Sequence, residues 1–141
     1  MLSAEERLEQ LEKLFVELED LSETTPVIVE GSRDVAALKR MGIVKNVTAL
    51  HKGVSVFSFC ENLSRESSAA IVLTDWDRRG GMLARMLRDG LKANGVEVND
   101  YIRKRIVMLS KKEIKDIESL PTFIERLRSM DAGRARQKRN G

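Results

Sequence analysis

The sequence predicts an α/β fold: a central, mostly parallel four-stranded sheet flanked by helices. Three observations carry this. Val27-Ile28-Val29 and Ala69-Ala70-Ile71-Val72-Leu73 are apolar without alternation, as strands covered on both faces must be. Segments with helical spacing of apolar residues stand between such runs. Strands that alternate with helices return through crossovers and so pair in parallel.

Taken in order, residues 3–21 read as a helix. Ser3 and Glu6 form a capping-box pattern, Leu8, Leu11, Phe15 and Leu18 make an apolar stripe widened by Leu14 and Leu21, and acids fill the other face. The stripe suits packing on the domain flank, with a dimerising seam as the alternative. Pro26 ends the helical signal and residues 27–29 form the first strand. Residues 33–41 read as a helix stopped by Gly42, and Ile43 to Leu50 as a second strand interrupted by Lys45 and Asn46. His51-Lys52-Gly53 is a turn. Residues 54–65 fit a helix, although Val54, Val56, Phe57 and Phe59 leave a strand open. The run 69–73 is the third strand. Met82, Leu83, Met86, Leu87 and Leu91 mark a helix over 80–94 that Asn94-Gly95 stops. Val96 to Val98 reads as a fourth strand and Ile106 to Leu109 as another. Ser110 to Leu120, with a second capping-box pattern at Ser110 and Glu113, and Pro121 to Met130 read as two short helices. The organisation expected is therefore an amphipathic helix over 1–24, one domain with a C-terminal helical extension over 25–130, and a disordered basic tail over 131–141.

Composition narrows the function classes. With 141 residues there is room for one domain. A single cysteine, Cys60, excludes an intrachain disulfide, and one cysteine with one histidine excludes a Cys/His zinc site within the chain. No apolar run reaches the roughly 20 residues of a membrane span, and the acidic start does not resemble a secretory signal, so a cytoplasmic setting and no membrane partner are expected. Residues 1–24 carry net charge −6 and the rest +9. After Asp100, twelve bases (Arg103, Lys104, Arg105, Lys111, Lys112, Lys115, Arg126, Arg128, Arg134, Arg136, Lys138, Arg139) outnumber the acids. A basic body suits a polyanionic partner, with a solvated face and tail as the plainer reading.

Two strand ends carry acids. Glu30 follows the first strand and precedes Gly31; Asp75-Trp76-Asp77 follows the third. In parallel sheets ligands bind outside the carboxyl ends of the strands. Side chains at i and i+2 of extended chain share a side, so Asp75 and Asp77 can meet, with Glu30 facing the same crevice if the first and third strands are neighbours. Three carboxylates that close repel one another, and a hard divalent cation such as magnesium removes that cost. A lone strand-end acid or Asp-x-Asp, by contrast, often only caps a helix. Arg33, Arg78 and Arg79 lie beside these acids and are candidate phosphate holders, or ordinary solvated arginines. Trp76 fits either base stacking or packing on the sheet, Cys60 reads as a buried small hydrophobe, and His51 as a turn residue that could meet phosphate.

The run Val27-Ile28-Val29-Glu30-Gly31-Ser32-Arg33-Asp34-Val35-Ala36-Ala37-Leu38 resembles the first signature of the Toprim family: apolar strand, Glu-Gly, two residues, Asp, then an apolar helix. Ile71-Val72-Leu73-Thr74-Asp75-Trp76-Asp77-Arg78-Arg79-Gly80 resembles the second, and 45 residues separate Glu30 from Asp75. The likeness spans about residues 25–98. Toprim domains occur in topoisomerases, bacterial primases, old-family nucleases, recombination-repair proteins and nucleases that mature 5S ribosomal RNA; this chain most resembles the short stand-alone type near the last group, common in archaea. The resemblance implies a Rossmann-like fold and a Mg²⁺-dependent phosphodiesterase acting on nucleic acid, RNA favoured over DNA, with Mn²⁺ as a substitute ion. It casts Glu30 as general acid or base that can also face metal, Asp75 and Asp77 as metal ligands, Gly31 as the glycine that admits phosphate, Asp34 as a supporting acid and Gly80 as the glycine opening the next helix. The topoisomerase pattern has a further acid where this chain has Arg79, which leaves one or two metals open. Tyr101 is the sole tyrosine, but the nucleophilic tyrosine of topoisomerases lies in a separate domain that this length does not supply. The alternatives are a non-catalytic module that binds nucleic acid or protein, or a primase-like subunit of a larger complex, with the N-terminal helix available for a homodimer or larger assembly.

Overall fold

The computed structural model describes residues 1–50 and 52–140. Its elements run α1 (Ala4–Ser22), β1 (Val27–Val29), α2 (Ser32–Arg40), β2 (Val47–Ala49), α3 (Val56–Glu66), β3 (Ala69–Val72), α4 (Arg78–Ala93), β4 (Glu97–Asn99), α5 (Tyr101–Ser110) and α6 (Leu120–Asn140). The four strands form one sheet in the order β2-β1-β3-β4, parallel throughout. Val27 stands opposite Val47 on one side and Ile71 on the other.

Alternation along the strands explains the continuous apolar runs. Val27, Val29, Ile71 and Leu73 pack under α1, α2, α5 and α6, whereas Ile28, Ala70 and Val72 pack against α3 and α4. Helices therefore cover both faces, and in the two central strands Val27–Val29 and Ala70–Val72 are each buried on one side or the other. The chain runs from β1 through α2 to the edge strand β2, then crosses back to β3 on the opposite side of β1. The sheet order reverses between β1 and β3, and such a switch point opens a crevice at the carboxyl ends of the two strands.

The N-terminal helix is capped as its sequence indicates, with Ser3 Oγ accepting from Glu6 N at 3.1 Å. Leu8, Leu11, Leu14 and Leu18 are buried in the chain's own core against α5 and α6, so the apolar stripe packs on the flank. Arg7 adds a 2.9 Å ion pair to Glu113 and lies 5.7 Å from the Phe123 ring centroid. Gly42, at φ +86°, turns the chain after α2 in a conformation that favours glycine. The second strand is shorter than the sequence suggested: Asn46 adopts φ +56° and only Val47–Ala49 pair with β1. Residues 56–66 take the helical alternative, capped by Ser55. Within the His51-Lys52-Gly53 turn, His51 lies outside the described residues.

Three expectations for the C-terminal third are corrected. Ile106–Leu109 is no strand but the end of α5, with Ile102, Ile106 and Leu109 buried at helical spacing. Residues 111–119 are a loop rather than a helix. Ser110 does not cap there, because its hydroxyl donates to Ile106 O inside α5 at 2.6 Å. The basic segment expected to be disordered continues α6 to Asn140; its arginines, alanines and Gln137 are strong helix formers that extend a helix already nucleated by the packed Phe123, Ile124 and Leu127. Among the described residues, no helix is long and apolar enough to cross a membrane.

Candidate metal centre at the carboxyl edge of the sheet

The last ladder bond at the switch point is Leu73 N to Ile28 O, at 2.8 Å. Beyond it the chain leaves the sheet, and residues 74–77 carry backbone groups that no strand can satisfy. Glu30, one residue past β1, reaches across and accepts from Asp75 N through Oε2 at 2.8 Å. The two acid-bearing strand ends are thereby joined, which is the adjacency that the sequence left conditional.

Each aspartate has one oxygen engaged. Asp75 Oδ1 accepts from Ile117 N at 3.0 Å, in the 111–119 loop. Asp77 Oδ1 accepts from Gly80 N at 2.7 Å and is the N-cap of α4. Capping thus falls to Asp77, and the half-buried Asp75 is held by a distant loop. Asp34, buried at the start of α2, accepts from Gly31 N at 3.1 Å.

Burial perturbs Glu30, Asp34 and Asp75, and neighbouring charge adds to it. Burial raises Glu30 to about 7, helped by the charges of Asp75 and Asp77 and opposed by the hydrogen bond from the Asp75 amide. Burial also raises Asp34 to about 6, with Asp75 adding to it. Asp75 is pushed up by burial, which the Ile117 amide partly offsets; the charges of Asp116 and Asp77 push the same way.

The nearby glycines act differently. A Cβ on Gly80 would stand 1.9 Å from Asp75 O, so the first turn of α4 presses directly on the aspartate's backbone. Thr74, fully buried, donates through Oγ1 to Gly80 O at 2.8 Å and locks the same contact. A Cβ on Gly31 would meet nothing within 4 Å, leaving open space beside Glu30. Arg78 and Arg79 are exposed in the first turn of α4. Arg33 is exposed on α2 and lines a shallow groove of about 240 Å³ with Arg40 and Glu118. These arginines flank the acids without being joined to them by the hydrogen bonds just described. Trp76 packs against the core, its Nε1 donating to Ile114 O and its backbone N to Lys115 O, both at 2.8 Å, so packing rather than open display describes it.

Two participants escaped the sequence reading. Arg103, counted there only among surface bases, turns inward. Its Nε donates to Thr74 O at 2.9 Å and its Nη2 to Asp75 O at 2.8 Å. Burial lowers its pKa against the opposing pull of Glu30, Asp75, Asp100 and Asp77. The 111–119 loop is the second, and nothing in its local sequence marks it, because its role is to offer backbone groups.

The donor set suits a hard divalent cation. The facing groups are carboxylates, burial raises the proton affinities of Glu30 and Asp75 with neighbouring charge adding to it, and the second oxygens of Asp75 and Asp77 are not used by the hydrogen bonds above. Among the described residues, no three Asp, Glu, His or Cys side chains already enclose an ion-sized point. Magnesium does not require such a cage, since it keeps several waters and takes one or two carboxylates.

Comparison with known proteins bears on the fold and the family. The model of the Toprim domain matches residues 25–109. The UPF0292 protein of Methanosarcina barkeri is 44% identical over 124 residues, covering 86% of this chain and 85% of its own. The UPF0292 protein MJ1624 of Methanocaldococcus jannaschii is 36% identical, covering 85% and 96%. A solved structure of a protein from Aquifex aeolicus superposes with a TM-score of 0.65 at 27% identity, covering 76% of this chain and 94% of that one. On the matched strands, the Glu30 and Asp75-Trp76-Asp77 strand ends and these relatives, the chain belongs to the Toprim domain family, and with it to a metal-dependent, nucleic-acid-related role.

Proposed function

We propose that the chain is a Mg²⁺-dependent phosphodiesterase that cleaves nucleic acid. The observation that carries this reading is the meeting of Glu30 with Asp75 across the β1–β3 switch point, 2.8 Å from carboxylate oxygen to amide. A general acid or base works best with a pKa near the working pH, and Glu30 stands at about 7. In this reading Glu30 takes a proton from the attacking water or gives one to the leaving oxygen. Asp75 and Asp77 would hold the ion, which supplies polarisation of a phosphate oxygen and neutralises charge developing there. Asp34 holds the Gly31 amide and so orients the loop beside Glu30. The α2 and α4 helices both begin at this edge, and their N-terminal amides favour an anion. Arg33, Arg78 and Arg79, exposed at those helix starts, would hold flanking phosphates. The preference for RNA over DNA rests on the likeness of the motifs to those of ribosomal RNA maturation nucleases.

The test is incubation with structured RNAs and with single-stranded DNA, with and without Mg²⁺. Cleavage that needs Mg²⁺ and disappears in Asp75→Ala and Glu30→Gln supports the reading; cleavage retained by both variants overturns it. A second reading has its own observation. Asp75 and Asp77 each already serve a backbone amide, as they would in a module that binds nucleic acid without chemistry. Binding without cleavage, unchanged in Glu30→Gln, would select it.

A further inference from the structure

We propose that Arg103 is a positioning residue of the carboxylate centre: its guanidinium, bonded to two successive backbone carbonyls, holds the Thr74–Asp77 turn in the shape that presents Asp75 and Asp77 to a metal ion. The inference rests on the metal reading above and extends it to a residue in α5 that no motif contains.

The case is one of backbone accounting. Past Leu73 the sheet offers no further partners, yet Thr74 is fully buried and Asp75 half-buried. Their carbonyls must be satisfied from elsewhere. Arg103 supplies both, through Nε at 2.9 Å and Nη2 at 2.8 Å. Only a planar fork spans two neighbouring acceptors in this way; an ammonium is a point donor on a flexible stem. The Asp75 carbonyl is held from a second direction, since the α-carbon of Gly80 approaches so closely that a Cβ there would lie 1.9 Å away. The Asp75 amide meanwhile donates to Glu30. Both polar groups of this one peptide segment are therefore fixed, and the side chain they carry has little freedom left. The charges of Glu30, Asp75, Asp100 and Asp77 all favour the charged form of Arg103.

Two roles are separable by sign. A residue that merely offsets negative charge competes with a cation, so its loss would tighten metal binding. A residue that positions ligands does the reverse: outer partners of metal ligands typically cost 10- to 100-fold in metal affinity when removed. Arg103→Lys keeps the charge and loses the fork; Arg103→Gln loses both.

The experiment is Mn²⁺ titration of the full chain followed by electron paramagnetic resonance, with amide hydrogen exchange of the segment 73–77 in metal-free protein as a second readout. Positioning requires both variants to bind Mn²⁺ at least about 10-fold more weakly than wild type, and the Asp75 amide to exchange faster. Binding by Arg103→Gln as tight as wild type, or tighter, overturns the proposal. If Arg103→Gln does not fold, Arg103→Lys alone decides, because charge compensation leaves its affinity unchanged. If wild type takes up no Mn²⁺, the metal reading fails by itself. The positioning role is then judged by exchange, and unaltered protection at Asp75 in the variants overturns it.

Discussion

At Gly80 a single hydrogen atom decides whether the centre can exist. A methyl there would overlap the Asp75 carbonyl at 1.9 Å, a backbone atom that cannot swing aside. Gly80→Ala is therefore expected to lower stability by about 3 kcal/mol, visible as a lower Tm, whereas Gly31→Ala, whose Cβ meets nothing within 4 Å, should leave Tm nearly unchanged. Glu30 makes a prediction of the opposite kind. Its folded pKa of about 7 lies above the ordinary 4.5. The folded state thus binds its proton more tightly, and this contribution is fully present below pH 4.5 and lost as pH rises through 7. In EDTA, the Tm difference between wild type and Glu30→Gln should move against wild type from pH 5 to pH 8, and saturating Mg²⁺ should shrink that movement. A difference that is flat with pH, or that moves the other way, would contradict the raised pKa. Asp34, at about 6, acts with the same sign over a lower window.

Elements show which local signals survive packing. The Ser3–Glu6 capping box and the Leu8, Leu11 and Leu18 stripe carried α1 from pattern to structure, with Leu14 buried and Phe15 only partly so, because cap and stripe are both local to one helix. Leu11 is fully buried between α1 and the core, so Leu11→Ala is expected to cost about 3 kcal/mol. At this chain length that is about 10 °C in Tm by calorimetry. Signals of four residues fared worse. Ile106, Val107, Met108 and Leu109 look like a strand in isolation, yet Ile102, Ile106 and Leu109 lie on one helical face against the core. Ser110 and Glu113 have the spacing of a cap, but Ser110 is already the end of a helix and spends its hydroxyl on Ile106. The second half of α6 is the converse case: charge suggested disorder, while its helix formers extend a helix anchored at Phe123 and Leu127.

Across the whole molecule, charge is segregated: residues 1–24 carry −6 and the rest +9. Arg134, Arg136 and Arg139 are exposed on α6 beyond Leu127, the last buried residue among those described. Replacing all three by Gln should leave Tm within about 2 °C. If this helix meets phosphates, the dependence of log K on log salt for a structured RNA should flatten by about 2, and an unchanged slope would assign the contact to another surface. Much of the architecture was legible from the chain alone. Val27-Ile28-Val29 and Ala69–Leu73 are apolar on both faces, as strands of a helix-covered parallel sheet are, and the acids at their ends marked Glu30, Asp75 and Asp77 as candidates. Sequence could not say that β1 and β3 are neighbours, that Asp77 rather than Asp75 caps α4, or that Arg103 and the backbone of Ile117 hold the aspartate. Strand runs and helix stripes are written in spacing along one segment, so the sequence determines them; which strand ends meet, and which distant group satisfies a stranded carbonyl, follows from packing in three dimensions, and only the tertiary structure decides it.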